Sequence, residues 1–139
     1  MNYKRILCLD LGDTRIGLAV SDLLGITAQG CGVLISNGEE KDIENIRKLA
    51  IEKDAGLIVV GFPINMDGTK GAKAQKIESF FLKMKDEMPC ECVLWDERLT
   101  TKQAERFIEE AGYNWKKKRE IIDEMAAQLI LQSYLDCNI

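Results

Sequence analysis

Short apolar runs alternate with longer stretches of helical periodicity along the 139-residue chain, a pattern that predicts an α/β domain. Strands are predicted at 4–10, 16–20, 31–36, 57–60 and 91–95, and those at 4–10, 57–60 and 91–95 are expected to be buried. Helices are predicted over 40–53, 70–87, from Thr100 or Thr101 to 111, and 118–135. The predicted order is therefore β-β-β-α-β-α-β-α-α.

Glycine and proline positions predict where these elements end. Gly56 is expected to stop the first helix, 61–69 to form a loop, and 113–117 to form a connector before the last helix. An antiparallel meander followed by β-α units predicts a mixed five-stranded sheet with helices on both faces. Because no repeat, low-complexity tract or linker interrupts the chain, we expect a single domain spanning 1–139.

The composition narrows the chemistry, because the chain contains no histidine. Ser-His-Asp and Cys-His nucleophiles, histidine general bases and histidine zinc sites are all excluded. Five cysteines without a C-x-x-C pair indicate neither a disulfide framework nor a zinc site.

With no signal peptide and no apolar stretch of membrane-spanning length, a cytoplasmic protein is expected. The net charge of −4 argues against indiscriminate coating of nucleic acid, yet is compatible with a nuclease that has local basic patches.

Three acidic residues occupy positions that are unusual for purely structural carboxylates. Asp10 ends the first apolar run, Glu97 follows the last one with Asp96 beside it, and Asp123 falls within the apolar register of the final helix. Ionised carboxylates are costly to bury unless they are paired or bind a metal. The structural alternative is that the first two simply close their strands at the surface and that Asp123 pairs with Arg119.

A trio of carboxylates suits Mg²⁺ or Mn²⁺, which prefer oxygen ligands. Two such ions about 3.5–4 Å apart can activate water and stabilise the leaving oxygen of a phosphodiester. The three acids therefore predict metal-dependent phosphoryl chemistry that requires no histidine.

Basic residues cluster in two places that suit a nucleic-acid backbone. Lys70, Lys73 and Lys76 are spaced along roughly one predicted helix face. The cationic run of Lys116, Lys117, Lys118 and Arg119 adjoins Trp115 and precedes Asp123. The alternative for the cationic run is a solvated helix start. In the loop 61–69, Asn65 and backbone N–H groups could face a phosphate, or the segment could be a plain ordered turn.

Five motifs in the same order resemble the YqgF (RuvX-like) family over essentially the whole chain. They are Leu9-Asp10-Leu11-Gly12, Arg15 to Asp22, Gly61-Phe62-Pro63 with Asn65 to Thr69, Asp96 to Thr101, and Asp123-x-x-Ala126-Ala127 with Ile130-Leu131 and Tyr134-Leu135. The resemblance implies an RNase H-like fold and a nuclease that processes the 5′ end of the 16S rRNA precursor. Members were also proposed to be Holliday junction resolvases, by their likeness to the RuvC resolvase.

The resemblance also implies roles for individual residues. Asp10, Glu97 and Asp123 correspond to the acidic metal-binding residues of the superfamily. Glu97 is preferred over Asp96 because adjacent residues point to opposite sides of a strand and the longer side chain suits bridging. The expected nucleic-acid contacts are Arg15, Asn65, Lys70, Lys73, Arg98, Lys116, Lys117, Lys118 and Arg119. Asp13-Thr14 departs from the family, since relatives often carry a basic residue in this turn.

The leading hypothesis is a divalent-metal-dependent endonuclease acting on pre-rRNA, alone or on ribosomal particles, as a monomer or homodimer. A resolvase of branched DNA shares the same predicted metal site but should dimerise in order to cut two strands. A sugar kinase or actin-like ATPase would explain Asp10-Leu11-Gly12 with Asp22, yet needs two such domains. A non-catalytic ribosome-assembly module is the remaining alternative.

Overall fold

The computed structural model of the chain describes residues 4–98 and 115–138, with side chains in the last helix described from 125 onward. The strands are β1 Arg5–Leu11, β2 Arg15–Ser21, β3 Ala28–Ile35, β4 Ala55–Phe62 and β5 Glu91–Asp96. The helices are α1 Glu39–Glu52, α2 Ala72–Lys85 and α3 Trp115–Cys137. No helix of these ranges is long and apolar enough to cross a membrane. The predicted helix from Thr100 or Thr101 to 111 lies outside the described residues.

The five strands form one sheet in the order β3-β2-β1-β4-β5. β1 pairs antiparallel with β2, which pairs antiparallel with β3, whereas β1–β4 and β4–β5 are parallel. The carboxyl ends of β1, β4 and β5 therefore lie along the same edge of the sheet. The predicted mixed sheet with an opening meander is confirmed.

Alternating side chains of the strands pack against different helices on the two faces of the sheet. Leu7, Leu9 and Leu11 of β1 belong to a core with residues of α1 and α2. Cys8 lies in a second core with residues of α3, including Ala127 and Ile130. Because side chains of a strand point alternately to opposite faces, Asp10 belongs to the α3 face with Cys8. The prediction of helices on both faces is confirmed.

The stop predicted at Gly56 is wrong. Helix α1 ends at Glu52, and Asp54 then turns the chain with a positive φ of 52°. The carbonyl oxygen of Asp54 accepts a hydrogen bond of 3.3 Å from the Arg5 N–H. This contact brings the chain onto β1 before Gly56, so Gly56 is already the second residue of β4.

Three further boundaries differ from the prediction. β4 continues through Gly61 and Phe62, which pair with Trp95 and Asp96 of β5, so the predicted loop 61–69 begins two residues later. Helix α2 begins at Ala72, so Lys70 precedes it. Helix α3 begins at Trp115, within the predicted connector 113–117.

Candidate active site

Asp10 lies near the carboxyl end of β1, at the centre of the sheet. It is partly buried and pairs in register with Gly17 of β2. On the other side of β1, Leu9 pairs with Val60 of β4. Strands on both sides therefore hold the backbone at Asp10, so its carboxylate projects from a rigid part of the fold.

Glu97 is the first residue after β5, and β4 holds it in place. Its backbone N–H donates a hydrogen bond of 3.2 Å to the carbonyl oxygen of Phe62. Its carboxylate lies over Gly61, where an added Cβ would collide with Glu97 Oε2 and come within 2.7 Å of Ile130 Cδ1. The glycine thus leaves the space that the carboxylate occupies between β4 and α3.

The two acids influence each other through a poorly solvated region. The pKa of Glu97 is raised to about 7, first by burial and then by the negative charge of Asp10, with a smaller increase from Asp96; the positive charge of Lys73 opposes the rise. The pKa of the Cys8 thiol is likewise raised, by its burial first and then by the charges of Asp10 and Glu97. Asp10 and Glu97 therefore form a like-charged pair on the α3 face, which a cation would stabilise.

Asp96 is engaged differently from its neighbour. Its Oδ1 accepts a hydrogen bond of 3.0 Å from the Arg98 N–H, and its Oδ2 lies 2.7 Å from both Arg98 Nε and Arg98 Nη2. Asp96 is two residues after Leu94 in β5, so its side chain points to the same face of the sheet as Leu94, which packs on the α1/α2 core. The geometry favours Glu97 as the partner of Asp10. Arg98, which was predicted to contact nucleic acid, instead forms an ion pair with Asp96.

The third predicted acid, Asp123, lies in α3 seven residues before Ile130. Its side chain is outside the described set, so its role stays a prediction. Among the side chains that are described, no group of three or more acidic or cysteine residues is placed so that it could hold a metal ion. Two of the three predicted ligands, Asp10 and Glu97, are brought together in that part of the chain.

The three lysines predicted on one helix face separate into different environments. Lys70 precedes α2, lies 2.7 Å from Glu78 Oε2 and stands 5.8 Å from the centre of the Phe62 ring. Lys76 lies 3.9 Å from Asp13 Oδ1. Lys73 is exposed in the first turn of α2, and its charge acts on Glu97. Of the three, Lys73 is the one that the structure links to the acid pair.

Asn65 closes its own loop. Its Nδ2 donates a 3.0 Å hydrogen bond to Thr69 Oγ1, and its backbone N–H donates to the Thr69 carbonyl. Asp67 Oδ1 also accepts from the N–H and hydroxyl of Thr69. The segment is an ordered turn, which was one of the two alternatives given for it. A phosphate contact by Asn65 stays a prediction.

The other predicted nucleic-acid contacts are only partly described. Arg15 is exposed at the start of β2, beside the turn in which the Gly12 N–H donates to the Arg15 carbonyl. The backbone of Lys116, Lys117, Lys118 and Arg119 belongs to the first turns of α3, and their side chains lie outside the description.

Two structural features are not predicted by the sequence patterns. The sequence predicts a loop at Gly61, although its position directly after the apolar run 57–60 allows a longer strand. Asp42, a nearly buried acid in the first turn of α1, accepts hydrogen bonds from Ser36 Oγ and the Asn37 N–H at 2.5 and 2.8 Å. Its only sequence signal was an acidic first turn, which is typical of many helices.

The sheet order β3-β2-β1-β4-β5 and the helices on both faces define an RNase H-like fold. RuvC of T. thermophilus with its Holliday junction substrate has this fold, with a TM-score of 0.52, 16% identity and coverage of 97% of this chain and 96% of that one. The fowlpox virus resolvase with Holliday junction DNA is similar in fold, with a TM-score of 0.51, 12% identity and coverage of 96% and 97%.

The sequence profile of the RuvX family, described as Holliday junction resolvase, matches residues 4–137, and the chain belongs to this family. A relative from Thermoanaerobacter pseudethanolicus is 46% identical over 133 residues, which cover 95% of this chain and 96% of the relative. Another, from Clostridioides difficile, is 45% identical over 135 residues, with coverage of 97% and 96%. Both carry the name "Putative pre-16S rRNA nuclease". The predicted family, fold and enzyme class, a nuclease, are confirmed.

Proposed function

We propose that this chain is a divalent-metal-dependent endonuclease that cleaves the 16S rRNA precursor near its 5′ end, in the cytoplasm. The observation that carries the proposal is the Asp10–Glu97 pair, whose burial and mutual repulsion raise the pKa of Glu97 to about 7. Two carboxylates that repel each other in a poorly solvated place favour binding of a cation. Asp123 is proposed as the third ligand.

The donor chemistry of the pair fits Mg²⁺ or Mn²⁺. Both residues offer only carboxylate oxygen, and the chain has no histidine that would favour softer metals. A divalent ion bound here would activate water and stabilise the leaving oxygen of a phosphodiester. Gly61 makes room for the Glu97 carboxylate, and the buried Ile130 beside it keeps water from that side.

Substrate binding is proposed to rely on local positive charge. Lys73 is exposed within the electrostatic range of Glu97, and the run Lys116 to Arg119 precedes Asp123 in α3. These cations would hold phosphates on either side of the cleaved bond. Ribosomal RNA is the favoured substrate because relatives about 45% identical over nearly their whole length carry the pre-16S rRNA nuclease name.

A branched-DNA resolvase is the second candidate, favoured by the description of the RuvX family. It would use the same acids. A resolvase must cut two strands symmetrically, so this candidate requires a dimer with two active sites. A solution mass measured with and without a four-way junction therefore separates the two: we expect a monomer that does not dimerise on the junction.

The decisive experiment compares cleavage of a 16S rRNA precursor and a four-way DNA junction in Mg²⁺ or Mn²⁺. Asp10→Asn, Glu97→Gln and Asp123→Asn should each lower the rate by about 100-fold or more, because each removes a charged ligand. Asp96→Asn is the matched control, since it alters the adjacent acid that is paired with Arg98. We expect it to retain activity within about threefold, as surface ion pairs contribute little.

Three outcomes would contradict the proposal. Equal losses in Asp96→Asn and Glu97→Gln would show that the pair with Asp10 has no special role. Faster cleavage of the junction than of the RNA would favour the resolvase. If Asp10→Asn supported normal rRNA maturation in cells that lack the wild-type protein, the non-catalytic module would replace the nuclease.

A further inference from the structure

A cavity of about 390 Å³ opens between the β1–β2 turn, the start of α1 and the first half of α2. Its volume falls within the roughly 300–1,000 Å³ typical of small-molecule sites. Leu11 and Ile16 line it, and both belong to the core on the α1/α2 face. The cavity is therefore on the opposite side of the sheet from Asp10.

Two exposed ion pairs connect α2 to the other walls of this cavity. Lys76 Nζ lies 3.9 Å from Asp13 Oδ1, on the β1–β2 turn, and Lys83 Nζ lies 2.8 Å from Glu39 Oε2, at the start of α1. Exposed pairs contribute little free energy. A ligand could therefore take over the carboxylates of Asp13 and Glu39 at low cost.

The lining combines a flat apolar wall with hydrogen-bond acceptors. Ile77 and Phe80 of α2 supply the apolar wall, and the Phe80 ring is partly exposed, so a planar group can stack on it. Asp13 and Glu39 supply carboxylates, which only accept hydrogen bonds when ionised. The ligand that fits is planar and presents N–H donors at its edge.

The interior does not suit a phosphate, although it includes the N-terminus of α1. Helix N-termini attract anions, but the first turn of α1 contains Glu39, Glu40 and Asp42, whose negative charges oppose a second anion. Positive charge lies instead on the α2 side, at Lys73 and Lys76. A nucleotide would therefore place its base inside and its phosphate at these lysines.

The cavity opens at the strand end that carries the proposed catalytic Asp10. Leu11 follows Asp10 directly in β1, so the two side chains lie on opposite faces of the same strand end. Lys73, in the first turn of α2, lines the cavity and is exposed to solvent. A strand with one phosphate at the acid pair could therefore place a neighbouring base in the cavity.

We propose that this cavity binds one unstacked base of the substrate strand beside the cleaved bond, with guanine preferred. Guanine presents N1–H and N2–H side by side, and a carboxylate can accept both, whereas uracil offers a single N–H. The proposal rests on the proposed nuclease function, because it names a substrate contact of the same site.

Binding is tested first without cleavage, in EDTA, by titrating guanosine 5′-monophosphate into ¹⁵N-labelled full-length protein. We expect the largest shifts at Gly12, Gly38 and Ile77, binding about fivefold weaker or more for uridine 5′-monophosphate, and no such shifts with ribose 5-phosphate. Equal affinity for the three compounds, or shifts confined to other residues, would overturn the proposal.

Variants separate the acceptor from the stacking ring. Asp13→Asn should weaken binding of guanosine monophosphate about tenfold, and Phe80→Leu should weaken both nucleotides while keeping an apolar wall. Lys85→Gln, at the end of the same helix and outside the cavity lining, is the matched control and should bind as wild type. Unchanged binding in Asp13→Asn and Phe80→Leu, with native melting temperatures, would overturn the assignment.

Cleavage assays distinguish failure of this inference from failure of the proposed function. RNA substrates with guanine replaced by uracil at each position flanking the cut should show one sensitive position in wild type and none in Asp13→Asn. Cleavage that is insensitive to guanine replacement at every flanking position would refute the cavity proposal but would still support the nuclease function. Guanine-selective binding without cleavage in any metal would refute the nuclease and leave the binding site.

Discussion

Gly61 of β4 lies directly against the carboxylate of Glu97, and a side chain as small as that of alanine would collide with Glu97 Oε2. The same Cβ would come within 2.7 Å of Ile130 Cδ1 in the buried core under α3. Glu97 is thus held between a strand and a helix, close enough to Asp10 for the two charges to interact.

Gly61→Ala should displace the Glu97 carboxylate and lower metal-dependent cleavage by about 10- to 100-fold, because small displacements of catalytic groups are costly. The crowding should also destabilise the fold by about 1–3 kcal/mol. Cleavage rates and urea denaturation check both expectations.

Gly56→Ala is the matched control for that substitution. It lies in the same strand, and its added Cβ would come 2.7 Å from Lys4 Cβ, remote from the acid pair. We expect a comparable loss of stability with a cleavage rate near that of wild type. If both alanine variants lost activity equally, the contact between Gly61 and Glu97 would have no specific role.

Glu97→Gln should stabilise the metal-free protein at pH 8. The folded-state pKa of Glu97 is raised from 4.5 to about 7, so the folded state binds more protons than the unfolded state between these values. Stability therefore falls as the pH rises through this window. Glutamine removes that dependence, with a gain of up to about 3 kcal/mol. Thermal melting in EDTA from pH 4.5 to pH 8 measures the effect.

Added Mg²⁺ should stabilise the wild type more than Glu97→Gln. A ligand that binds only the folded state stabilises it more the tighter it binds, so the cation should raise the melting temperature of the wild type by the larger amount. Equal shifts in the two proteins would argue against Glu97 as a ligand.

Asp42→Ala should destabilise the fold by about 1–3 kcal/mol, because it leaves the Ser36 hydroxyl and the Asn37 N–H without their acceptor. Asp42→Asn, which keeps one acceptor oxygen, should cost less. Glu40→Ala is the control, since Glu40 is an exposed acid in the same helical turn, and it should change stability by less than about 1 kcal/mol. Chemical denaturation would contradict this ranking if the three variants were equally stable.

Thiol modification should follow burial. Cys137 is exposed and should react first with a disulfide reagent, whereas Cys8 is fully buried and the pKa of its thiol is raised. Burial also raises the pKa of Cys92 to about 12, so this thiol should react slowly. Mass spectrometry of the native protein over time checks the order. Early labelling of Cys8 would show that the core under α3 opens readily.

Much of the architecture was predictable from local pattern. The apolar runs placed all five strands, and their order with the intervening helices indicated the mixed sheet. Apolar periodicity predicted α1, α2 and α3 to within a few residues at each end, because an amphipathic helix must turn one face to the core. The single-domain prediction and the role of Asp123 stay predictions.

The sequence by itself determined the five strands, the helices α1, α2 and α3, the family and the acids that could form a metal site. The tertiary structure decided which of those acids meet. Pairing with β5 extends β4 through Gly61 and Phe62, and the alternation of β5 puts Glu97 on the α3 face with Asp10 while Asp96 turns to Arg98. These outcomes depend on register and on contacts between residues far apart in the chain, which no local pattern encodes.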